Sequence, residues 1–245
     1  MRKTRIFVDQ KLQAEAEFVL ADVAAHHISR VLRLRLGHPL ILFDGHGGEY
    51  DAEISKLDKR HVEVHTHQYL EVENESPLHI TLVQGISRGQ KMDFILQKAV
   101  ELGVDRIVPV MTEFGNVRLD EERQQKKIEH WQGVIIGACE QCGRNKIPEL
   151  VAPLSFDESI DIKNGKDMLK IVLHPGAGES LSKLSKPKGE ITLLVGSEGG
   201  FSDNEIGKAC TGGYQIINIG PRILRTETAA LAAISACQVL WGDFS

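Results

Sequence analysis

The first part of the chain alternates apolar and polar positions in short runs. Four of these runs are rich in β-forming residues and are separated by turn residues, which predicts strands at residues 4–8, 39–45, 48–58 and 61–67. Between the first two, the stretch ADVAAHHISRVLRLRLG begins as a helix and ends near Gly37. Short strands with a single helix are typical of a small β-barrel. The acidic segment 68–77, which is poor in apolar residues and ends in proline, then predicts a domain boundary.

From residue 78 onward, near-continuous apolar runs alternate with segments of helical periodicity. The runs LHITLVQGI, RIVPVMT, LKIVLHPG, EITLLVGSEGG and YQIINIGP predict buried strands. The stretch KMDFILQKAVELG has helical spacing up to Gly103, residues 119–143 predict a long helix, and helical segments follow the last two strands. This alternation predicts an α/β domain with a parallel sheet.

Composition and charge narrow the class of protein. With 42% hydrophobic and 26% charged residues, the chain is of ordinary globular composition. No apolar run approaches the ~20 residues that span a bilayer, and the start MRKTRIFVDQ lacks the apolar region of a secretory signal. We therefore expect a cytoplasmic protein with no membrane partner. The net charge of -5 argues against non-specific coating of nucleic acid, so any such site must be a local patch.

Three strands of the second part end in loops rich in glycine and proline: VLHPGAG, LVGSEGGFS and NIGPRILRTETA. In open α/β sheets, ligands bind outside the carboxyl ends of the strands, and glycine lets the bare backbone approach them closely. Tight turns need glycine in any case, which is the structural alternative. The dinucleotide and P-loop fingerprints are both absent. The loops therefore suggest a nucleoside ligand without a pyrophosphate, such as S-adenosylmethionine. Ser202 and Glu205 form a capping-box pattern, which predicts where the next helix begins.

The stretches LLVGSEGGFSDNEI and IGPRILRTETAALAAISACQVLWGD closely resemble the signature of the ribosomal RNA small-subunit methyltransferase E (RsmE-type) family, of the SPOUT class. The stretches SRGQKMDFILQKAVELGV, EQCGRN and LHP resemble its other characteristic motifs, in the same order, and the resemblance covers nearly the whole chain. Ser197 departs from it, because proline is expected there. Since proline would only fix φ, this difference should alter the stiffness of the loop more than its chemistry.

The resemblance implies a PUA-like RNA-binding β-barrel over residues 1–72 and a SPOUT α/β domain over residues 73–245. In that domain the strand-end loops would form a deep trefoil knot that binds S-adenosylmethionine. It also implies a homodimer that methylates N3 of a uridine in 16S ribosomal RNA of the small ribosomal subunit. Independently, the last helix is apolar almost all round and must be covered on more than one side, either within the monomer or by another helix.

Site residues are carried over from the resemblance onto matching positions. The implied cofactor-binding residues are Leu173, His174, Gly196, Glu198, Gly199, Gly200, Ile219, Gly220, Ile223, Leu224 and Thr228. The implied catalytic residues are Arg225, Glu227 and Arg144. Arginines that can converge on the barrel, together with polar residues of the motifs, are the RNA-binding candidates: Arg5, Arg30, Arg33, Glu140, Asn145 and Arg222. Scattered, solvated charges are the alternative for the arginines. The general base stays open between His174 and Glu227.

Two other classes of function compete with this interpretation. Cys139 and Cys142 spell C-x-x-C, which can indicate zinc or redox chemistry, and a nucleotide-dependent oxidoreductase would use these thiols. They lie at the end of a predicted helix, and no second pair completes a zinc site, so we expect no metal. The second alternative is a non-catalytic RNA-binding protein of ribosome assembly, which would not need to bind S-adenosylmethionine.

Overall fold

The computed structural model describes residues 3–58, 61–115, 120–162, 167–176 and 179–244. The chain divides into two compact units, and each is built from two pieces of chain. The first unit comprises Met1–Glu75 and Ile136–Ile147, and the second comprises Ser76–Ile135 and Pro148–Ser245. The EQCGRN motif therefore belongs to the first unit. Within the described ranges, no helix combines the length and the apolar character needed to cross a bilayer.

The first unit is built on a five-stranded sheet in the order β1-β3-β4-β5-β2. Strand β1 pairs parallel with β3, and the remaining pairs are antiparallel. Its core is formed by inward-facing residues such as Ile28, Leu42, Ile54 and Val64, all of which are buried. The elements of this unit are β1 (Thr4–Phe7), β2 (Ala16–Val19), α1 (Asp22–His26), a π-helical turn (His27–Val31), β3 (Pro39–Phe43), β4 (Glu49–Leu57) and β5 (Val62–Leu70).

The structure differs from the sequence prediction at two points in this unit. Strand β2 is absent from the prediction because its apolar and polar residues do not alternate: Phe18 and Val19 are both apolar, although Val19 is 54% exposed. The predicted helix is also shorter than the apolar pattern suggests, since its helical turns end at Val31. Two residues later, Arg33 has a φ of 53°, in the left-handed region, and this backbone conformation cannot continue a right-handed helix.

The second unit contains an eight-stranded sheet in which every strand pair is parallel. The strand order is β11-β13-β10-β12-β6-β7-β8, with β9 also paired to β7. Its elements are β6 (Ile80–Gly85), α2 (Gln90–Glu101), β7 (Arg106–Met111), α3 (Glu121–Cys142, whose end lies in the first unit), β8 (Glu149–Leu150), β9 (Leu154–Ser155), α4 (Phe156–Ile160), β10 (Leu169–Leu173), β11 (Glu179–Ser180), a 3₁₀ turn (Leu181–Lys183), β12 (Ile191–Val195), α5 (Asp203–Thr211), β13 (Gln215–Asn218) and α6 (Thr226–Trp241).

The predicted parallel sheet is confirmed, and all five strands predicted for this part of the chain are present. Strands β6 and β12 are buried along their whole length, which explains their unbroken apolar runs. The two-residue strands β8, β9 and β11 and the short helix α4 were not predicted. Segments this short carry no period, and their pairing partners are distant in sequence.

Helix α6 packs against α2 and against β12 and β6. Ala230, Ala233 and Ile234 are fully buried on this side of the helix. The fully buried Gln238 fixes the carboxyl-terminal half of α6, because its Nε2 donates to Leu102 O (2.8 Å) and its Oε1 accepts from Ser76 Oγ (2.8 Å). On another side of the helix, Val239 remains 56% exposed. Within the described ranges, the helix is therefore covered where it faces α2, β6 and β12, and Val239 is left exposed.

Candidate active site

A cavity of about 390 Å³ lies at the carboxyl ends of neighbouring strands of the second unit. Because β13, β10 and β12 are adjacent and parallel, the three glycine- and proline-bearing loops that follow them meet at one edge of the sheet. The loop after β10 contributes Leu173, His174 and Pro175 to the wall of the cavity. The loop after β12 and the segment between β13 and α6 provide most of the rest, and Lys91 of α2 completes the lining.

Most residues predicted for a cofactor line this cavity. They are Leu173, His174, Gly196, Glu198, Gly199, Gly200, Ile219, Ile223 and Leu224. Gly220 is instead part of the wall of a separate groove beside α6, with Val239 and Leu240. Thr228 is exposed on the first turn of α6 and is not among the lining residues, whereas Thr226, two positions earlier, is.

The loop after β12 needs glycine because of the backbone that surrounds it. Gly200 has a φ of 71° and its N–H donates to Ser197 O (3.0 Å), which closes a tight turn. A Cβ atom added to Gly199 would lie 2.6 Å from both the Cβ and the carbonyl oxygen of Phe114. Real Cβ atoms do not approach other atoms this closely, so a side chain at Gly199 would displace the loop or the backbone at Phe114.

Polar side chains hold this loop against the segment that follows β7. The hydroxyl groups of Thr112 and Ser197 lie 2.9 Å apart, and both residues are buried. Ser202 Oγ donates to Glu113 Oε2 (2.6 Å), and Glu113 N–H donates to Glu205 Oε1 (2.9 Å). The predicted capping box of Ser202 and Glu205 is confirmed and starts helix α5. The wall of the cavity is therefore a preorganised loop tied down at both ends.

Charged side chains line the cavity beside this backbone. Glu198 accepts a hydrogen bond from Arg88 N–H (3.2 Å) and pairs with Lys91 Nζ (3.3 Å). Burial alone would raise the pKa of Glu198, but these bonds and one from its own backbone N–H lower the pKa below its ordinary value. Glu227 Oε2 is buried and has no hydrogen-bond partner among the described residues. A buried carboxylate oxygen without a partner is energetically costly, so it is suited to accept from a ligand.

Arg225 and Arg222 also line the cavity, and both are exposed. Arg225 occupies the N-cap position of α6 with extended backbone, and its side chain makes no capping hydrogen bond. Its carbonyl accepts from Ala229 N–H (2.8 Å), the first hydrogen bond of the helix. The backbone of Arg225 is therefore fixed by the helix while its guanidinium remains available to a ligand.

The structure places the other predicted site residues in the first unit. Arg144 Nε donates to Glu75 Oε2 (2.8 Å), and their side chains are only 5% and 11% exposed. Arg5 pairs with Glu49 and also donates to the side chain of Asn145 and to Arg144 O (3.2 Å). We call these five residues the first-unit ionic network.

Glu140 also makes a contact within the first unit, because its Oε1 accepts a hydrogen bond from Phe7 N–H (3.0 Å). Burial raises the pKa of Glu140, and the bond from Phe7 opposes that shift. In contrast, Arg30 and Arg33 are exposed and form no ion pair with any residue in the described ranges. Of the arginines predicted to bind RNA in this unit, these two have guanidinium groups available for phosphate.

The cysteines do not form a redox or metal centre in the part of the chain that the structure describes. All four are free thiols, and Cys139 is fully buried. Burial raises the pKa of the Cys139 thiol to about 12, so the reactive thiolate is disfavoured. No group of three or more His, Cys, Asp or Glu side chains suited to a metal ion occurs among the described residues.

Two family models match the chain. An RNA methyltransferase domain matches residues 74–238, and an RNA methyltransferase PUA domain matches residues 20–66. The ribosomal RNA small subunit methyltransferase E of Buchnera aphidicola subsp. Acyrthosiphon pisum is 35% identical over 240 residues, covering 98% of this chain and 94% of that protein. The Bacillus subtilis protein of the same name is 30% identical and covers 98% and 99% of the two chains.

Solved structures give the same result over the full length. A putative methyltransferase from Legionella pneumophila in complex with S-adenosylmethionine has a TM-score of 0.95 and 41% identity, covering 100% of both chains. A ribosomal RNA small subunit methyltransferase E from Neisseria gonorrhoeae bound to S-adenosylmethionine has a TM-score of 0.93 and 39% identity, with the same coverage. Together with the parallel sheet, these likenesses confirm the expected fold class: a mixed α/β protein of the SPOUT type with an N-terminal PUA-like domain.

Proposed function

Because the chain belongs to the ribosomal RNA small subunit methyltransferase E family, we propose that it transfers the methyl group of S-adenosylmethionine to N3 of a uridine in 16S ribosomal RNA of the small subunit. The observation that supports this most directly is the cavity at the carboxyl edge of the parallel sheet, lined by nine of the residues expected to bind a cofactor. We further propose that the reaction takes place in the cytoplasm.

The lining fits a small nucleoside cofactor. A volume of about 390 Å³ lies within the roughly 300–1,000 Å³ typical of small-molecule sites. Gly196, Gly199 and Gly200 bring the bare backbone to the wall of the cavity, and the ionised Glu198 adds negative charge beside a cationic ligand. S-adenosylmethionine supplies a methyl group that is activated by its attachment to a positively charged sulfur. No metal ion is needed for that chemistry.

The residues around the cavity then have distinct tasks. N3 lies on the pairing edge of uracil, so the base must be unpaired or flipped out to reach the site. The exposed guanidinium of Arg225 can donate to a uracil carbonyl, which gains negative charge as N3 loses its proton. For the acceptor of that proton we favour Glu227 over His174, because Glu227 Oε2 is buried without a donor.

For the RNA we propose that Arg30 and Arg33 bind phosphates and that Arg222 binds RNA at the cavity. Arg5, Glu140, Asn145 and Arg144 are engaged in buried contacts within the first unit. For these four we propose a supporting role: they hold residues 136–147 to the barrel.

We also propose that the chain is a homodimer and contains a deep trefoil knot. Val239 and Leu240, which are 56% and 43% exposed, line a groove of about 440 Å³ that suits an apolar surface of a second copy. Support for the knot comes from strand order. Strand β13 lies beyond β10, whereas α6 packs on β12 and β6, so the chain between them crosses back past the end of β10.

The product can be tested by primer extension. Small subunits from a strain that lacks the modification are incubated with the protein and S-adenosylmethionine, and the 16S RNA is then reverse-transcribed. Methylation at N3 removes a pairing donor, so we expect a new stop one nucleotide before the modified uridine. Reactions without S-adenosylmethionine serve as the control. Tight binding to subunits without any new stop or methyl incorporation would instead support a non-catalytic assembly factor.

A further inference from the structure

Gln84, on strand β6, is a fully buried amide that joins two walls of the cavity. Its Nε2 lies within donor distance of Thr226 Oγ1 (3.0 Å), Gly85 O (3.0 Å) and Gly196 O (3.3 Å). Thr226 Oγ1 in turn donates to Gly196 O (2.5 Å). A closed triangle of hydrogen bonds therefore links β6, the first residue of the loop after β12 and the first residue of α6.

Hydrophobic packing does not account for an amide at this position. Every residue of β6 is buried, and Ile80, Leu82 and Val83 are apolar, so an apolar side chain at position 84 would fill the site without the expense of burying polar atoms. The Oε1 atom of Gln84 has no partner among the described residues, so the side chain is retained in spite of one unsatisfied acceptor. Its donor groups are directed to Gly85 and to two residues that line the cavity, Gly196 and Thr226.

We infer that Gln84 is a positioning residue for the cofactor cavity: it sets the distance between the loop that begins at Gly196 and the start of α6. Thr226 directly follows Arg225, so the same bond fixes the helix end that carries the proposed catalytic arginine. Gln84 does not itself line the cavity, and it acts through Gly196 and Thr226. The inference rests on the proposed function, because S-adenosylmethionine is the ligand whose affinity it concerns.

The expected effect is on cofactor affinity. Without the amide donors, the loop and the helix end can move relative to each other, and binding must then order them again. Loss of the donors should therefore raise the Kd for S-adenosylmethionine roughly tenfold, which corresponds to about 1.4 kcal/mol. The affinity for small ribosomal subunits should not change.

The test is a double-mutant cycle on the full-length protein, with S-adenosylmethionine binding measured by calorimetry well below the melting temperature. Gln84→Met removes the donors at similar volume, and Thr226→Val removes the hydroxyl. Each single substitution should raise the Kd about tenfold. The Kd of the double variant should exceed that of the weaker-binding single variant by no more than about threefold, because both substitutions break the same triangle of hydrogen bonds. Thr226→Ser keeps the hydroxyl and should bind within about twofold of the original protein.

Gln238→Met is the matched control, since Gln238 is also a fully buried, hydrogen-bonded glutamine of the second unit, but its partners Ser76 and Leu102 do not line the cavity. It should lower the melting temperature and leave the Kd unchanged. The inference is overturned if Gln84→Met binds S-adenosylmethionine as tightly as the original protein, or if Gln238→Met weakens binding equally. It is also overturned if the Kd of the double variant rises by the product of the two single effects. Should Gln84→Met fail to fold, unaltered affinity in Thr226→Val overturns it. Failure of the unaltered protein to bind would contradict the proposed function instead.

Discussion

The first-unit ionic network and the cavity of the second unit use the same residue types in opposite ways. Both contain arginine and glutamate side chains. In the network, Arg144 and Glu75 satisfy each other in a buried pair. At the cavity, Arg225 is exposed at a helix start, and Glu227 has an oxygen without a partner. Whether a charged side chain is structural or available for chemistry therefore depends on its partners rather than on its type.

The backbone shows the same contrast. In the first-unit ionic network most contacts join two side chains, whereas at the cavity glycine loops form part of the wall and side chains outside the lining hold these loops in place. The loop after β12 is held from outside the lining by hydrogen bonds of Thr112, Glu113 and Glu205. Substitutions in the two regions should therefore separate stability from catalysis, and the following predictions test that separation from the largest expected effect to the smallest.

Replacement of Arg144 by methionine should reduce stability and leave cofactor binding intact. Glu75 would remain buried without its partner, and breaking such a pair costs about 3–5 kcal/mol. Chemical denaturation should show this loss, while calorimetry shows unchanged affinity for S-adenosylmethionine. Lys146→Met is the control: its ion pair with Glu73 is half exposed (50% and 46%) and should contribute about 0–1 kcal/mol. If the Arg144→Met protein instead has normal stability but lacks activity, Arg144 acts in catalysis, and the contrast between the first-unit ionic network and the cavity does not hold.

Replacement of Arg225 by alanine should have the opposite result. Removal of one donor to a developing negative charge typically lowers turnover roughly 100- to 1,000-fold. Single-turnover methylation should fall by that factor, while the melting temperature and the affinity for S-adenosylmethionine stay nearly constant. If methylation remains within a few-fold, or if cofactor affinity collapses as well, Arg225 is not the catalytic arginine, and Arg222 becomes the next candidate.

Gly199→Ala tests whether the backbone of the loop forms the cofactor wall. The new Cβ would lie 2.6 Å from Phe114 atoms, and overpacking of this kind costs about 1–3 kcal/mol. If the strain displaces the loop, S-adenosylmethionine affinity should fall about tenfold. Gly207→Ala is the matched control, because nothing lies within 4 Å of its added Cβ in helix α5. Equal affinity in both variants would show that the loop does not bind the cofactor.

Joint replacement of Arg30 and Arg33 by alanine should affect RNA binding alone. Each lost phosphate contact lowers the slope of log affinity against log salt by about 0.7–0.9. Binding to small subunits, measured at several salt concentrations, should show this shallower slope with unchanged cofactor affinity. Arg123→Ala, at an exposed position of α3 with an ion pair to Asp120, should leave the slope unaltered. An unchanged slope in the double variant would show that neither arginine contacts phosphate and that both are solvated surface charges.

The sequence predicts the parallel sheet correctly, because long apolar strands are local patterns, and the glycine-bearing loops that it singles out meet at one edge of that sheet. It could not indicate the partners of Arg144 or Arg5, since Arg144 pairs with a residue 69 positions away and Arg5 bonds to Asn145, 140 positions away. It also favoured Thr228, although Thr226 is the threonine that lines the cavity. Thr228 is carried over from the resemblance, which gives positions along the sequence but not which side of the first turn of α6 faces the cavity.

The first unit consists of two pieces of chain, and this has a consequence for how the protein is made. A ribosome releases the barrel strands long before it has synthesised residues 136–147. During translation at about 5–20 residues per second, domains otherwise tend to fold as they emerge. Until Arg144 is synthesised, the carboxylate of Glu75 lacks its partner, whereas Glu49 can already pair with Arg5. The first unit is therefore completed only after residues 136–147 have left the ribosome. For the same reason, no single truncation point in the chain separates the two units intact.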